Sequence, residues 1–375
     1  MEYIFIFFVL LIIYIYIGYP VVLKMMRAQN IAIKQDRDLP YVTLFIPAYN
    51  EAKIIKEKIE NSLSLDYPND RLEICVASDA STDETVSIVK QYIKKGIILF
   101  EGKEREGKNS IIDRYITMCR GEIIVFTDAN AFFKPDAIRK LVRNYNYDRV
   151  VGCVVGNLKY QDETTSVGRG EGLYFRYESA IKKLESRHGT LVAATGSIYA
   201  IRKSLFIPLD LDVANDFAHP IQISAKGYQV VFDEEAVAYE KATSSIREEF
   251  SRRARIVTRG FTAFLRYRRK YRMLKGMWGF CFISHKLLRW FVPFFLIIIF
   301  FTNLFLHSPF FKFTLLGQLI FYSAALAGVL FKKKSGKFFS IPFYFCLINS
   351  AALMGIIKYF RGTRESVWEV AKTTR

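Results

Sequence analysis

The chain has 375 residues, 51% of them hydrophobic, and its 54 basic side chains outnumber 36 acidic ones for a formal net charge of +18. This length leaves room for one domain of roughly 200–250 residues with accessory segments. The apolar residues are concentrated in four long runs, which excludes an ordinary soluble enzyme. Much of the basic excess lies next to one of these runs, which argues against a nucleic-acid partner.

The first apolar run, Tyr3 to Leu23, contains no charged residue and predicts an N-terminal transmembrane helix over residues 1–23. It lacks the basic start and the small-residue cleavage site of a signal peptide. Because Lys24 and Arg27 follow it, the positive-inside rule places the N-terminus outside and residue 24 onward in the cytoplasm. These features predict a multi-pass protein of the cell (inner, cytoplasmic) membrane whose main domain is cytoplasmic.

Three further runs predict C-terminal membrane helices at residues 291–307, 312–331 and 338–358. Basic residues flank the last run on both sides, in the loop 332–337 and in the tail 359–375. Both flanks cannot be cytoplasmic if this helix crosses the membrane fully. We therefore expect 338–358 either to cross against the rule or to be re-entrant.

The stretch 247–275 carries eleven basic and two acidic side chains. Since an apolar run follows it closely, a lipid bilayer with anionic headgroups is the expected partner. Residues 261–290 are accordingly predicted to be a basic, amphipathic interfacial segment, and Phe280 to Trp290 to be an interfacial helix outside the span.

Between a linker at 24–40 and this segment lies a predicted α/β domain, residues 41–260. Strand-like and helix-like patterns alternate as far as Asn144, which predicts a parallel sheet there, and the pattern is more mixed from about Val151. The five cysteines show no metal-ligand spacing and are expected to be buried in a reducing compartment. The predicted strands are Tyr41–Ile46, Leu72–Ser78, Ile97–Phe100, Glu122–Thr127, Val151–Tyr160, Ile198–Ile201 and Gln229–Phe232.

Two predicted strands each end in an acid. Asp79 follows one, and Asp128 with Asn130 two residues later follows another. In an open α/β sheet, ligands bind at the carboxyl ends of the strands. A carboxylate and an amide oxygen so placed suit a hard divalent cation shared with substrate phosphates. The alternative is an Asx-type turn at the strand end.

Four other motifs contain residues suited to binding or catalysis. Tyr49, in the turn after the first strand, could stack on a base, or the turn could simply cap a helix. Lys108 follows a glycine and could meet a phosphate, although P-loop spacing is absent. Asp216, in the first turn of a helix, could be a general base or a helix cap. Arg252 and Arg255 could hold a pyrophosphate or face lipid.

Taken in order, these motifs resemble the family 2 glycosyltransferases, in particular the membrane-embedded branch of cellulose, chitin and hyaluronan synthases. The resemblance covers about Val42 to Arg259 and implies a GT-A-like (Rossmann-like) nucleotide-diphospho-sugar transferase fold with transmembrane helices. On the donor side, it implies uridine contacts at Ala48, Tyr49, Glu51 and Asp79, a nucleotide contact at Lys108, and binding of diphosphate with Mg²⁺ or Mn²⁺ at Asp128 and Asn130. On the acceptor side, it implies an acceptor site at Thr195, Gly196 and Ser197 and the catalytic base at Asp216. It also implies that Arg252 and Arg255 contact the leaving group.

The chain departs from the family pattern in two motifs. Asn130 replaces the second acid of the DxD motif, so one metal ligand becomes neutral. In the QxxRW motif, Arg252 replaces the Gln and Ile256 replaces the Trp. In processive synthases of the family, that Trp helps to hold the growing polymer. Because it is replaced here, transfer of one or a few sugars is an alternative to processive synthesis.

The expected activity is an inverting, metal-dependent transfer from a nucleotide-sugar, a UDP-sugar by the resemblance, to a saccharide or lipid-linked acceptor at the cytoplasmic membrane face. It would serve exopolysaccharide, capsule or cell-envelope glycan synthesis, with polysaccharide export proteins as partners. The alternative is a non-catalytic, nucleotide-binding membrane subunit of a polysaccharide synthase complex.

Overall fold

A computed structural model describes residues 1–28, 39–145, 150–161, 165–330, 337–363 and 372–374. Most of the predicted linker 24–40, the basic loop 332–336 and most of the predicted tail 359–375 lie outside the described residues.

One eight-stranded sheet, in the order β3-β2-β1-β4-β7-β6-β8-β5, forms the centre of the molecule. Helices pack on both faces, and the longest ones lie toward the two ends of the chain. The strands are β1 Val42–Ala48, β2 Leu72–Ser78, β3 Ile97–Glu101, β4 Ile123–Phe126, β5 Phe132–Phe133, β6 Val151–Gln161, β7 Tyr199–Arg202 and β8 Gln229–Lys241. The helices are α1 Glu2–Met25, α2 Ile55–Leu63, α3 Thr85–Lys90, α4 Lys108–Tyr115, α5 Ala137–Val142, α6 Ser166–Ser186, α7 Asn215–Ala225, α8 Ile246–Tyr267, α9 Gly276–Leu304, α10 Pro309–Leu330 and α11 Lys337–Phe360.

The first four strands are parallel, with β1 between β2 and β4. The strand order therefore reverses at β1, and the crevice beyond the carboxyl ends of β1 and β4 is where a ligand site is expected. Pro47 lies inside β1 rather than ending it: β1 pairs with β4 only as far as Phe45, so the missing N–H of Pro47 removes no bond from that ladder.

The second half of the sheet is mixed. Strand β7 is antiparallel to both β4 and β6, and β5 is antiparallel to β8. Strand β8 also continues nine residues past the predicted end at Phe232. The extension begins with acidic residues, of which Asp233 is buried and accepts two hydrogen bonds from Arg143, each 2.9 Å long.

The sheet separates two apolar cores. One face packs Ile46, Val76 and Val125 against Ile55 and Leu141 of the helices. The other face carries a second cluster that includes residues of α4. Because both faces are covered, the parallel strands are apolar along their whole length, which is why the periodicity identified them.

A third core joins the α/β domain to the terminal helices. Tyr19 of α1, Phe217 of α7, Phe261 of α8, Trp290 of α9 and Ile356 of α11 all belong to it. Helix α8 buries its apolar side here, so the terminal helices are packed onto the domain and not merely tethered to it.

Four described helices are long and apolar enough to cross a membrane: Glu2–Met25, Gly276–Leu304, Pro309–Val329 and Phe338–Phe360. The segment 280–290, predicted to be a separate interfacial helix, is the first half of the continuous 29-residue helix α9. Its polar side chains face the α/β domain, since His285 and Lys286 contact Glu178 of α6.

Candidate active site

A cavity of about 320 Å³ opens at the carboxyl edge of the sheet, at the crevice beyond β1 and β4. The turns after these two strands form one side, and α7 and α8 form the other. The site residues predicted from the motifs that line this cavity are Glu51, Lys108, Asp128, Asn130, Thr195, Gly196, Ser197, Asp216, Arg252 and Arg255. Most residues singled out by the motifs therefore meet around one space.

Asp128 and Lys108 form an ion pair inside this cavity, with 2.5 Å between Asp128 Oδ1 and Lys108 Nζ. Lys108 is the first residue of α4, after Gly107, whose φ of 97° is one that glycine adopts readily. Asp79 fixes this turn because its carboxylate accepts the backbone N–H groups of Glu106, at 2.8 Å, and Gly107, at 3.0 Å. Asp79 itself is 0% exposed, so in this structure it supports the loop and does not line the cavity.

The Asp128–Asn130 turn is closed by a backbone bond of 3.1 Å from the Ala131 N–H to the Asp128 carbonyl. The Asp128 side chain is thus not needed to close the turn, and it remains 36% exposed in the cavity. Asn130 is 7% exposed and lines the same space. Carboxylate and amide oxygens are the donors that Mg²⁺ and Mn²⁺ prefer. Because the Lys108 ammonium is held on Asp128, this position already attracts positive charge, so the residues fit a divalent cation.

Lys58 is a buried cation directly beneath this turn, and the sequence reasoning missed it. Its Nζ donates to Thr127 Oγ1 at 3.0 Å and to the Ala131 carbonyl, and it lies 4.5 Å from the centre of the Phe133 ring. Burial lowers its pKa to about 7, although the Asp128 and Glu240 carboxylates oppose the shift. Through its bonds to Thr127 and Ala131, Lys58 holds both ends of the Asp128–Asn130 turn.

Asp216 lies in the first turn of α7, and its carbonyl accepts the Ala194 N–H at 2.7 Å. A Cβ atom added to Gly196 would be 3.4 Å from an Asp216 carboxylate oxygen and 3.7 Å from one of Asp128. The two carboxylates therefore lie within about 7 Å of each other. Glycine at this position keeps the space between them open.

The electrostatic surroundings of Asp216 favour a base. Burial raises the pKa of its carboxyl group, and the Asp128 carboxylate adds to this, while Lys108, Arg259 and Lys182 oppose it. No side chain caps the start of α7, where Ala214 is the capping residue. Asn215 Nδ2 instead donates to Tyr199 Oη at 2.8 Å.

Two buried ionisable side chains hold the Thr195-Gly196-Ser197 turn. Lys182 of α6 donates to Thr195 Oγ1, and Ser197 Oγ donates to Glu240 of β8. Burial lowers the pKa of Lys182 to about 8 and raises that of Glu240 to about 7. Neither residue belongs to a motif, and Glu240 lies beyond the predicted end of its strand, so no sequence signal pointed to them.

The first two arginines of the motif on α8 are paired with acidic side chains. Arg252 lines the cavity but also bonds Glu171, Glu249 and the Tyr160 hydroxyl, and Arg253 bonds Glu249. These two arginines are balanced within the protein and do not face lipid.

Further along α8, Arg255, Ile256 and Arg259 line the cavity, and Ile256 is 49% exposed there. Both arginines predicted to contact the leaving group, Arg252 and Arg255, therefore line the cavity.

Of the residues predicted to contact uridine, Glu51 lines the cavity, whereas Ala48, Tyr49 and Asp79 are not among its lining residues. Ala48 is the buried last residue of β1, and Glu51 lines the cavity. The Tyr49 ring lies beneath the Arg105 guanidinium, 3.9 Å from it. The flat group that Tyr49 stacks on in this structure is thus an arginine.

Comparison with known proteins agrees with this geometry. Residues 43–207 match the family described as glycosyl transferase family 2. This region is a glycosyl transferase family 2 domain. The family resemblance of the motifs is thereby confirmed, and the matched region contains Asp79, Lys108, Asp128 and Gly196.

Two curated relatives are similar to the chain. The poly-beta-1,6-N-acetyl-D-glucosamine synthase of Staphylococcus aureus (strain COL) is 22% identical over 61% of this chain and 57% of its own length. The probable glycosyltransferase YdaM of Bacillus subtilis (strain 168) is 26% identical over 62% of this chain and 60% of its own length. The chain thus aligns with less than two thirds of either relative.

A solved structure extends the likeness to the whole fold. The mannosyltransferase PcManGT of Pyrobaculum calidifontis, in complex with GDP-Man and Mn²⁺, superposes with a TM-score of 0.73 and 22% identity over 96% of this chain and 100% of its own. At this identity the likeness concerns the fold alone. It confirms the predicted GT-A-like fold.

Proposed function

We propose that the chain transfers a sugar from a nucleotide-sugar, a UDP-sugar by its family resemblance, to an acceptor hydroxyl with inversion of the anomeric carbon. One observation carries the proposal: Asp128, Lys108 and Asp216 surround a single cavity at the sheet edge. A family 2 domain with this arrangement has both a place for the diphosphate and a base for the acceptor.

At the donor end, Asp128 and Asn130 would hold Mg²⁺ or Mn²⁺, with Asp128 as the main ligand. Such a cation, when bound, neutralises the diphosphate leaving group. Lys108, Arg255 and Arg259 line the same cavity and supply fixed positive charge to the departing diphosphate.

At the acceptor end, Asp216 takes the proton from the attacking hydroxyl. Its raised pKa makes the carboxylate a stronger base than an exposed aspartate. The acceptor oxygen attacks from the face opposite the nucleotide, so one displacement inverts the anomeric centre. A single catalytic carboxylate suffices because the diphosphate needs no protonation by a general acid.

The biological setting follows from the relatives and the helices. A relative named poly-beta-1,6-N-acetyl-D-glucosamine synthase supports a role in exopolysaccharide or cell-envelope glycan synthesis. The membrane helices and the basic residues after the first one support a catalytic domain at the cytoplasmic face of the cell membrane. Polysaccharide export proteins are the partners that such a product would require.

The test is release of UDP by purified full-length protein given UDP-sugars, with GDP-mannose as a comparison donor, in the presence of Mn²⁺ or Mg²⁺. We expect metal-dependent release, and we expect Asp216→Asn to lower it at least 100-fold, the scale of removing a general base. Asn is nearly isosteric, so a matched melting temperature would show that the fold is intact.

A non-catalytic nucleotide-binding subunit is the competing function. It predicts nucleotide binding without turnover from any donor. If no donor yields a free nucleotide and Asp216→Asn behaves like the wild type, the transferase proposal is wrong.

A further inference from the structure

A second cavity of about 170 Å³ adjoins the first one on the side of the membrane helices. Asp216 lines both cavities. Part of the remaining wall comes from helices that are candidate membrane spans, through Tyr16 of α1, Trp290 of α9 and Ile348 of α11. The candidate base thus faces a space built by both the family 2 domain and the membrane helices.

The wall of this second cavity is mainly apolar. Phe217, Val257, Trp290, Ile348 and Ala352 all contribute to it. An aliphatic chain could be buried against such a surface, because removing apolar groups from water is favourable. A polysaccharide, which carries hydroxyl groups along its whole length, would leave these groups without partners there.

One charged side chain in this wall has unused hydrogen-bond donors. Arg289 is 10% exposed, and its Nη1 donates to Glu178. Among the described residues, neither its Nε nor its Nη2 has a hydrogen-bond acceptor. A buried N–H group without an acceptor costs about 1–3 kcal/mol, so the arrangement calls for a ligand oxygen.

The surroundings hold Arg289 ready for such an oxygen. Its guanidinium lies over the Tyr177 ring, 5.0 Å from the centre, and Glu178 fixes its other edge. Lys286, one turn away on α9, lines the same cavity and pairs with Glu178 at 3.1 Å. Two free N–H donors on one guanidinium edge match two oxygens of a phosphate. A charged side chain at the membrane end of such a site is also a strong indication of function.

We propose that the acceptor is an amphiphile, a lipid that carries a phosphate, bound in the second cavity with its phosphate on Arg289 and its hydroxyl-bearing end toward Asp216. The assignment rests on the proposed transferase function and narrows its acceptor from the saccharide and lipid-linked classes to the second. The apolar wall binds the first part of the hydrocarbon chain.

The test is a binding measurement that needs no turnover. Full-length protein carrying Asp216→Asn is titrated in detergent with farnesyl phosphate, farnesol and inorganic phosphate, and quenching of tryptophan fluorescence is followed, since Trp290 lines the cavity. We expect farnesyl phosphate to bind at least tenfold more tightly than farnesol, and inorganic phosphate to bind at least 100-fold more weakly than farnesyl phosphate.

Variants of Arg289 separate the phosphate contact from general affinity for lipid. Arg289→Gln should remove the tenfold preference for farnesyl phosphate over farnesol, and Arg289→Lys, which keeps the charge but not the two-pronged edge, should retain part of it. Binding of UDP with Mn²⁺ to each variant shows that the donor site is folded.

Three results would overturn the assignment: equal affinity for farnesyl phosphate and farnesol, a preference that survives Arg289→Gln, or inorganic phosphate binding as tightly as the lipid. The last would make this a site for a free anion. Since the measurement uses a protein that lacks the candidate base, these outcomes are independent of whether any donor is turned over.

Discussion

Asp128 and Asn130 share one turn but offer a cation different charges. Asp128 is partly exposed and already holds the Lys108 ammonium, whereas Asn130 is nearly buried and neutral. We expect Asp128→Ala to abolish transfer, and Asn130→Ala to weaken the affinity for Mn²⁺ about tenfold while keeping turnover at saturating metal. Metal titration of UDP release measures both. Equal loss in the two variants would show that Asn130 is a full ligand.

Glu240 gives the metal-free protein a predictable response to pH. Its pKa is raised to about 7 mainly by burial, with the Asp128 carboxylate adding to the shift. A carboxyl group whose pKa is higher in the folded state stabilises the fold below its ordinary pKa of 4.5, and this contribution is lost as the pH rises through 7. The contribution is about 3 kcal/mol at most.

Melting temperatures in EDTA at pH 5, 6, 7 and 8 test this effect. The wild type should lose stability across this range more steeply than Glu240→Gln, whose side chain stays neutral throughout. Parallel curves for the two proteins would show that Glu240 is already ionised in the folded protein at low pH.

At the residue scale, the residues around the cavity could be predicted where they belong to a motif, and not where only burial brings them there. Asp128, Lys108 and Asp216 lie after a strand or at the start of a helix, and such positions can be recognised from the sequence pattern. Lys58 and Glu240 do not. A lysine in an amphipathic helix pattern is normally solvated, and only the tertiary structure buries Lys58 beneath the turn.

At the element scale, buried parallel strands were easiest to predict because their apolar runs are continuous. Strand β2 has the predicted bounds, Leu72–Ser78. The two-residue strand β5 and the second half of β8 were missed because pairing with distant strands, not local pattern, makes them strands. That second half is what brings Glu240 to the cavity.

Helix α11 packs against α8 through a glycine. A Cβ atom at Gly355 would lie 2.7 Å from the Ala254 carbonyl oxygen and 2.8 Å from Val257 Cβ. The Thr258 hydroxyl also donates to the Gly355 carbonyl at 3.0 Å. Gly355→Ala must therefore push α11 away from α8, and such overpacking costs about 1–3 kcal/mol.

The matched control is Gly317→Ala in α10, where an added Cβ atom meets nothing within 4 Å. We expect Gly355→Ala to lower the melting temperature of the detergent-solubilised protein by several degrees and Gly317→Ala to leave it unchanged or slightly higher. Identical melting temperatures for the two variants would contradict close packing of α11 on α8.

At the scale of the whole molecule, a contact between residues 372–374 and the start of α8 constrains the membrane topology. The backbone N–H of Thr373 donates to Glu248 of α8 at 3.2 Å, and its hydroxyl lies 2.8 Å from that of Thr243. Residues 372–374 are therefore on the same side of the membrane as the family 2 domain. The number of crossings between α8 and residue 372 must be even.

Three candidate spans lie in that interval, so we infer that at least one of them does not cross. Half of the most apolar window of Phe338–Phe360 is buried inside the protein, against 28% for Gly276–Leu304 and 17% for Pro309–Val329. Helix α11 also contacts α8 at both ends, through Tyr344 with Glu249 and through Tyr359 with Phe261. We infer that α11 lies against the domain and that α9 and α10 form the crossing pair.

This topology resolves the conflict in the charge pattern. If α11 does not cross, the basic residues before and after it lie on the same side as the family 2 domain, as the positive-inside rule requires. The sequence posed the choice between a crossing and a re-entrant helix but could not decide it. Burial of α11 against α6 and α8 depends on contacts with distant parts of the chain.

Cysteine labelling in intact membranes tests this arrangement. Single cysteines are placed at three exposed positions: Lys103 in the family 2 domain, Ser308 between α9 and α10, and Thr363 after α11. The background carries Cys346→Ser, because Cys346 alone among the native cysteines is not fully buried. With an impermeant maleimide, we expect Thr363→Cys to behave like Lys103→Cys and opposite to Ser308→Cys. Labelling of Thr363→Cys together with Ser308→Cys would mean that α11 crosses, which is incompatible with the Thr373–Glu248 contact.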